Sequence, residues 1–196
     1  LREICDKNDI LLIFDEIPTA FGRSGMFYVH QNFCIEPDIL VLGKGIGGGI
    51  VPQAAVLIKS KYDCAQDISL GHYTHEKPAA GCATIKYIDE HKLMENCQKQ
   101  AAFALQYSEN LYNTYQCIGD FRIKGLLMSF ELVTDRVSKR KNDKLAERIL
   151  YYCLGNGLSF KVSAGNCITW YPPLIVTTEQ LTFAFQLLEE AIKNNC

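Results

Sequence analysis

The chain has 196 residues, nearly half of them apolar, enough for one large domain or two small ones with a real core. A net charge of -2 gives no electrostatic case for nucleic acid, which calls for a clustered basic face. No apolar run approaches the roughly 20 residues of a membrane span, and the opening Leu-Arg-Glu-Ile-Cys lacks the basic-then-apolar pattern of a signal peptide.

In chain order, Leu11-Leu12-Ile13-Phe14 is a short apolar run ending in Asp15-Glu16. It predicts a strand buried on both faces, as in a parallel sheet. Because the chain starts without Met and enters this strand so early, it reads as a fragment of a longer protein. Ile39–Leu42, bounded by Pro37-Asp38 and Gly43, and Ala54–Ile58 are two further runs of the same kind. Together they suit the interior of an α/β sheet. Pro78 fits the first turn of a helix, where its missing N–H costs nothing. Beyond it, residues 79–113 have helical spacing, with two consecutive helices expected and a break near His91-Lys92.

After about residue 115, Phe121–Val133 and Leu158–Tyr171 read as strands, and Asn142–Asn156 and Thr178–Asn194 as amphipathic helices. Thr177-Thr178-Glu179-Gln180 resembles a helix start: a hydroxyl can cap the first turn, and Glu suits the positive end of the dipole. Asp135–Lys144 reads as a charged, solvated stretch. The nine cysteines are odd in number, contain no Cys-x-x-Cys and are scattered through apolar segments. That pattern argues against a disulfide framework or a zinc site, and for reduced structural thiols in a cytoplasmic setting.

Three segments carry chemistry. Asp15 places a carboxylate at the C-terminal end of a strand, where α/β sheets put ligands; the alternative is that it caps a turn. Lys44 follows a strand and is embedded in glycines. A lysine held there in a poorly solvated site becomes nucleophilic, and glycines let the backbone pass close to a flat cofactor; the rival reading is an exposed lysine on a glycine-rich turn. Gly43-x-Gly45-x-x-Gly48 matches the dinucleotide fingerprint formally, but a strand and not a helix follows, and the P-loop Ser/Thr after the lysine is absent. Thr74, shortly before Pro78, could bind a phosphate oxygen with help from the helix dipole. His72 and His75 near Glu76 lack a further ligand cluster, so no metal is expected.

Asp15–Gly25 (Asp-Glu-Ile-Pro-Thr-Ala-Phe-Gly-Arg-Ser-Gly), Pro37–Gly49, the Gly71-His72-Tyr73-Thr74 stretch, Gly119–Leu126 and Pro172-Pro173-Leu174 stand in one order along essentially the whole chain. That series resembles the class III aminotransferases, pyridoxal 5′-phosphate (PLP) enzymes of fold type I. The resemblance implies an α/β fold: residues 1–77 would complete the sheet of a large PLP-binding domain, 78–114 would form linking helices, and 115–196 a small C-terminal α+β domain. It implies Lys44 as the Schiff-base lysine and proton shuttle, Asp15 as the ionised partner of the ring nitrogen, Ile17 packed on one face of the ring, and Thr74 on the phosphate, in a homodimer whose active sites lie at the subunit interface. The phosphate-binding Gly-Ser/Thr loop and the ring-stacking aromatic of the family would lie N-terminal to this chain.

Three departures matter. Pro18 stands where the family has a Gln near the ring hydroxyl. The stretch from Thr74 to Pro78 is one residue short and lacks the usual Asn. Thr169 stands where many members have an Arg for the substrate carboxylate, which normally wants that bidentate partner. The leading expectation is amino transfer from an amine or amino acid to a keto acid. The alternatives are a lyase on amino-phosphonates or phosphoamines, an amino-acid epimerase, or a truncated interaction module.

Overall fold

The computed structural model describes residues 1–64, 68 and 78–196. The chain divides into two compact units, Leu1–Met94 and Glu95–Cys196.

The first unit opens with the short helix α1 (Arg2–Lys7) and contains β1 (Ile13–Asp15), β2 (Ile39–Leu42), β3 (Ala55–Ile58) and helix α2 (Ala80–Glu90). The sheet order is β1-β2-β3. β1 and β2 are parallel, with Ile13 opposite Ile39 and Asp15 opposite Val41. β3 is antiparallel to β2, Leu42 facing Ala55. The sequence predicts three strands inside a parallel sheet, and the third departs from that. A parallel return needs about a dozen residues or more, usually a helix. Glycines 43, 45, 47, 48 and 49 and Pro52 deny the intervening segment that helix.

Burial on both strand faces is also not what the structure has. In β2, Leu40 and Leu42 are buried, while Ile39 and Val41 are only partly so. Ile13 of β1 and Val56, Leu57 and Ile58 of β3 are exposed. Consecutive apolar residues in a strand point to opposite faces, so among the described residues β3 is exposed on both.

Asp38, read from sequence only as a strand boundary, clamps the three strands. Its Oδ2 accepts from Leu12 N at 2.9 Å and pairs with Arg2 Nη1 at 2.7 Å, while Oδ1 pairs with Lys59 Nζ at 3.3 Å. Its backbone N–H meanwhile donates to Leu12 O, and its carbonyl accepts from Lys59 N.

α2 ends at Glu90 and α3 (Leu93–Thr114) begins three residues on, with Lys92 in the left-handed region at φ 51°, so the break falls where the sequence predicts it. Pro78 precedes α2 instead of sitting in its first turn.

In the second unit each expected long strand is a hairpin. β4 (Ile118–Lys124) turns through Gly125, at φ 59°, into β5 (Leu127–Asp135). β7 (Lys161–Ser163) turns through Ala164 and Gly165, both at positive φ, toward β8 (Cys167–Trp170). The order is β4-β5-β8-β7, with the short β6 (Arg140–Lys141) on β5. Helix α4 (Asp143–Gly155) is capped by the Asn142 side chain, which accepts from Leu145 N. Helix α5 (Thr178–Asn195) starts in the expected way: Thr177 Oγ1 accepts from Gln180 N, and Gln180 Oε1 accepts from Thr177 N, satisfying two end-of-helix donors.

Met128, Phe130 and Leu132 alternate along β5 into the core, where they meet Ile149 of α4 and Leu181, Phe185, Leu188 and Ile192 of α5. The α5 residues recur at helical spacing and so share one face. The ring of Phe185 lies 6.1 Å from that of Phe130 and 5.1 Å from that of Trp170. Full burial of a side chain of this size contributes about 1.5–3 kcal/mol.

Candidate active site

Because β1 and β2 run parallel, their C-terminal ends open on the same edge of the sheet. That edge is where open α/β sheets bind ligands. Asp15 is the last residue of β1 and lies level with Val41; Lys44 follows the end of β2 at Leu42 by two residues.

Asp15 Oδ1 accepts from Ile17 N at 3.0 Å, a side-chain turn that orients the carboxylate and starts the following loop. The next residue points the other way, as alternation in a strand requires. Glu16 is 1% exposed, and its carboxylate accepts from Val29 N at 2.6 Å and His30 N at 2.9 Å, with His30 Nδ1 at 2.7 Å. Its own N–H donates to Val41 O at 2.9 Å. Glu16 therefore ties the long loop after β1 back to the strand that presents Asp15. Sequence reasoning missed Glu16 and His30. The Asp-Glu pair at a strand end was the available signal: one carboxylate faces out, and the other is buried and needs donors.

The glycines after β2 allow close packing against that loop. A Cβ on Gly43 would stand 3.2 Å from Ile17 Cγ2, and one on Gly45 would stand 3.3 Å from Phe21 Cδ2. Phe21 is held at positive φ, buried, and edge-on to Phe27 at 5.4 Å. Lys44 heads a single 3-10 turn, Lys44–Gly47, closed by Gly48 in the left-handed region. Lys44 itself has φ 44°, a conformation that costs an L-residue about 1–2 kcal/mol. The turn leads to β3 and not to an α-helix, so the Gly43-x-Gly45-x-x-Gly48 spacing does not build a dinucleotide site.

Lys44 and Asp15 are both exposed, and Ile17 is half-buried. The poorly solvated surroundings read for Lys44 are not formed by the described residues, which leave that edge of the sheet uncovered. Thr74, His72, His75 and Glu76 lie outside the described residues. Among the described residues no group of three or more His, Cys, Asp or Glu side chains could hold a metal ion. No helix among them is long and apolar enough to cross a membrane.

In the second unit Thr169 is buried on β8, and its hydroxyl donates to Lys161 O at 2.9 Å across the β7–β8 pair. The hydroxyl is thus committed to the sheet and offers nothing like the fork of an arginine. The Pro172-Pro173-Leu174 segment is anchored by Asn96 of α3, whose Nδ2 donates to Leu174 O at 2.7 Å and Val176 O at 3.1 Å.

The aminotransferase class-III family model matches residues 1–192. The chain belongs to the class III aminotransferase family. It is 48% identical over its whole length to the (R)-1-hydroxy-2-aminoethylphosphonate ammonia-lyase of Vibrio splendidus (strain 12B01), covering 42% of that protein. Over 90% of its length it is 33% identical to the taurine–pyruvate aminotransferase of Bilophila wadsworthia (strain 3_1_6), covering 43% of it. Among solved structures, the taurine:2-oxoglutarate aminotransferase of Bifidobacterium kashiwanohense, in complex with PLP and glutamate, matches all of the chain with a TM-score of 0.87 at 26% identity, and the chain covers 47% of it. The α/β fold is that of the fold type I transaminases. The chain thus spans a little under half the length of the relatives it matches.

Class III aminotransferases are PLP enzymes, and the donor set at this sheet edge fits the cofactor. It offers a primary amine on a glycine-bounded turn, a carboxylate oriented by a backbone N–H, and an aliphatic side chain packed against the backbone leading to the amine.

Proposed function

We propose that the whole protein is a PLP-dependent ammonia-lyase acting on a small hydroxylated aminophosphonate, the substrate type of its Vibrio relative. The observation that carries this reading is the 48% identity to that enzyme over the full chain, against 33% for the taurine–pyruvate aminotransferase. Thr169 supports it, since its hydroxyl is committed to Lys161 O and a lyase binds no keto acid whose carboxylate an arginine there would hold.

When bound, PLP supplies an aldehyde for an amine and a protonated pyridine ring that withdraws electrons from bonds at the amine-bearing carbon. Lys44 Nζ would hold the aldehyde carbon in the resting protein and, once displaced, would take the proton from the amine-bearing carbon and pass it to the hydroxyl that leaves the neighbouring carbon. Asp15 would lie at the ring nitrogen and keep its proton in place. Ile17 would pack against one face of the ring, and Thr74 would bind the phosphate. The functional unit in this reading is a cytoplasmic homodimer with its sites at the subunit interface. The nine cysteines, odd in number and without a Cys-x-x-Cys pair, support a reducing compartment.

Transamination is the second reading, favoured by the similarity to the taurine–pyruvate aminotransferase. The two separate in one experiment. The whole enzyme is given (R)-1-hydroxy-2-aminoethylphosphonate without any keto acid. A lyase releases ammonia over many turnovers and keeps its PLP absorbance. An aminotransferase stops after one equivalent with its cofactor in the pyridoxamine form.

A further inference from the structure

Of the nine cysteines, two are placed together by the fold. The sulfurs of Cys117 and Cys196 lie 2.7 Å apart although the residues are 79 positions apart in sequence. Cys117 sits in the turn between α3 and β4, and Cys196 follows the last turn of α5, its N–H donating to Ile192 O at 2.9 Å.

Both segments are pinned. Arg136 Nε donates to Ile118 O at 2.9 Å, and its Nη2 donates to Tyr115 O at 2.9 Å and to Tyr112 O, with the guanidinium over the Tyr112 ring. Cys117 O accepts from Val133 N at 2.8 Å. On the other side Glu189 of α5 accepts from Tyr115 Oη at 2.9 Å and Tyr107 Oη at 3.3 Å, and pairs with Lys193 at 3.0 Å. The end of α5 is thus docked on the turn that carries Cys117, and the two thiols meet at high effective concentration. Their exposure differs: Cys196 is exposed, whereas burial, with the neighbouring Cys196 adding to it, pushes the Cys117 thiol up to about 12.

We propose that Cys117 and Cys196 form a reversible disulfide by exchange with a low-molecular-weight disulfide of the glutathione class. The exposed Cys196 thiolate attacks one sulfur of the small disulfide, whose S–S bond breaks and releases one small thiolate. Cys117 then loses its proton to solvent and attacks Cys196 Sγ, releasing the second. Two protein thiols are oxidised to one bridge, and one small disulfide is reduced to two thiols, with no other reactant. The bridge closes a loop spanning β4 to the end of α5, so it restrains the unfolded form of most of the second unit. A bridge of this kind in a reducing compartment is a redox-sensitive one, not a permanent staple.

The test uses the full-length holoenzyme, equilibrated in graded reduced and oxidised glutathione, alkylated, and mapped as peptides without reduction. The expected result is a Cys117–Cys196 linked peptide that appears as the buffer becomes more oxidising and is reversed by dithiothreitol. The oxidised form should melt at least about 5 °C above the reduced form, and the gap should vanish in C196S, whose altered residue is exposed and leaves the core intact. Independent alkylation of both thiols across the whole range would overturn the proposal. So would a stable glutathione adduct on Cys196 with Cys117 still free, or a bridge to any other cysteine. A Cys117–Cys196 bridge that left the melting temperature unchanged would overturn its stabilising role.

Discussion

Ile17 packs so closely on Gly43 that a single methyl group added to the glycine would stand 3.2 Å from Ile17 Cγ2. Gly43 is in an extended conformation open to any residue, so the constraint is one of space alone. The variant Gly43→Ala is expected to fold, to lose about 1 kcal/mol of stability through overpacking, and to hold PLP more weakly because the displaced backbone carries Lys44. Because Ile17→Ala alone also loses its contact with the ring, Gly43→Ala/Ile17→Ala should lose less cofactor affinity than the two single losses added together. PLP titration of the four proteins in a double-mutant cycle checks this; coupling indistinguishable from zero would deny the contact.

The left-handed backbone at Lys44 gives a second expectation. Lys44→Ala and Lys44→Gly both remove the amine, but only glycine relieves the strain at φ 44°. In the cofactor-free proteins Lys44→Gly should be the more stable by about 1 kcal/mol, measured by urea unfolding. Equal stability would mean that the conformation costs nothing.

The fold near the site was readable where the determining interactions are local. An apolar run broken by Pro37-Asp38 and Gly43 defines β2, the Thr177/Gln180 pair defines the start of α5, and the break at His91-Lys92 separates two helices. What was not readable depends on distant partners. The side of β2 on which β3 lies and the direction in which it runs follow from a glycine-rich link that cannot be a helix. Exposure of Val56–Ile58 depends on whether another layer covers them, which their own composition cannot say. Glu16 and His30 are brought together by a loop, and Asp38 meets Arg2 only through the sheet. Phe121–Val133 looks like one strand because Gly125 is a single residue; its positive φ is what turns the chain back.

Acid should loosen the first unit through Asp38. Its carboxyl is held well below the usual carboxylate range by the Leu12 N–H first, then by Arg2, with Lys59 adding to it. A carboxyl whose folded pKa is depressed contributes stability that is full above its unfolded value, near 4, and is lost as pH falls toward the folded one. Unfolding followed by near-ultraviolet circular dichroism should therefore show stability declining below about pH 4. In Asp38→Asn that part of the decline should be absent, and the protein should be less stable at neutral pH. An identical acid profile in the variant would remove Asp38 as a clamp.

Gly119 is packed against a fully buried partner in the second unit. A Cβ there would lie 2.5 Å from Val133 Cγ1 and 2.7 Å from Cγ2, and Val133 is 0% exposed with a short, stiff side chain that cannot swing away. Gly119→Ala should cost about 1–3 kcal/mol, and Val133→Ala in the same chain should recover part of it. Thermal melts of the single and double variants give the answer, and a neutral Gly119→Ala would contradict the packing.

In the proposed reading the amine of Lys44 is the point at which this protein holds its cofactor. The direct measurement is borohydride reduction of the full-length, PLP-loaded protein, followed by proteolysis and mass spectrometry. One modified peptide should carry the pyridoxyl mass, on Lys44, and Lys44→Ala should give none. A modification on another lysine, or an unmodified Lys44 in fully loaded protein, would contradict it.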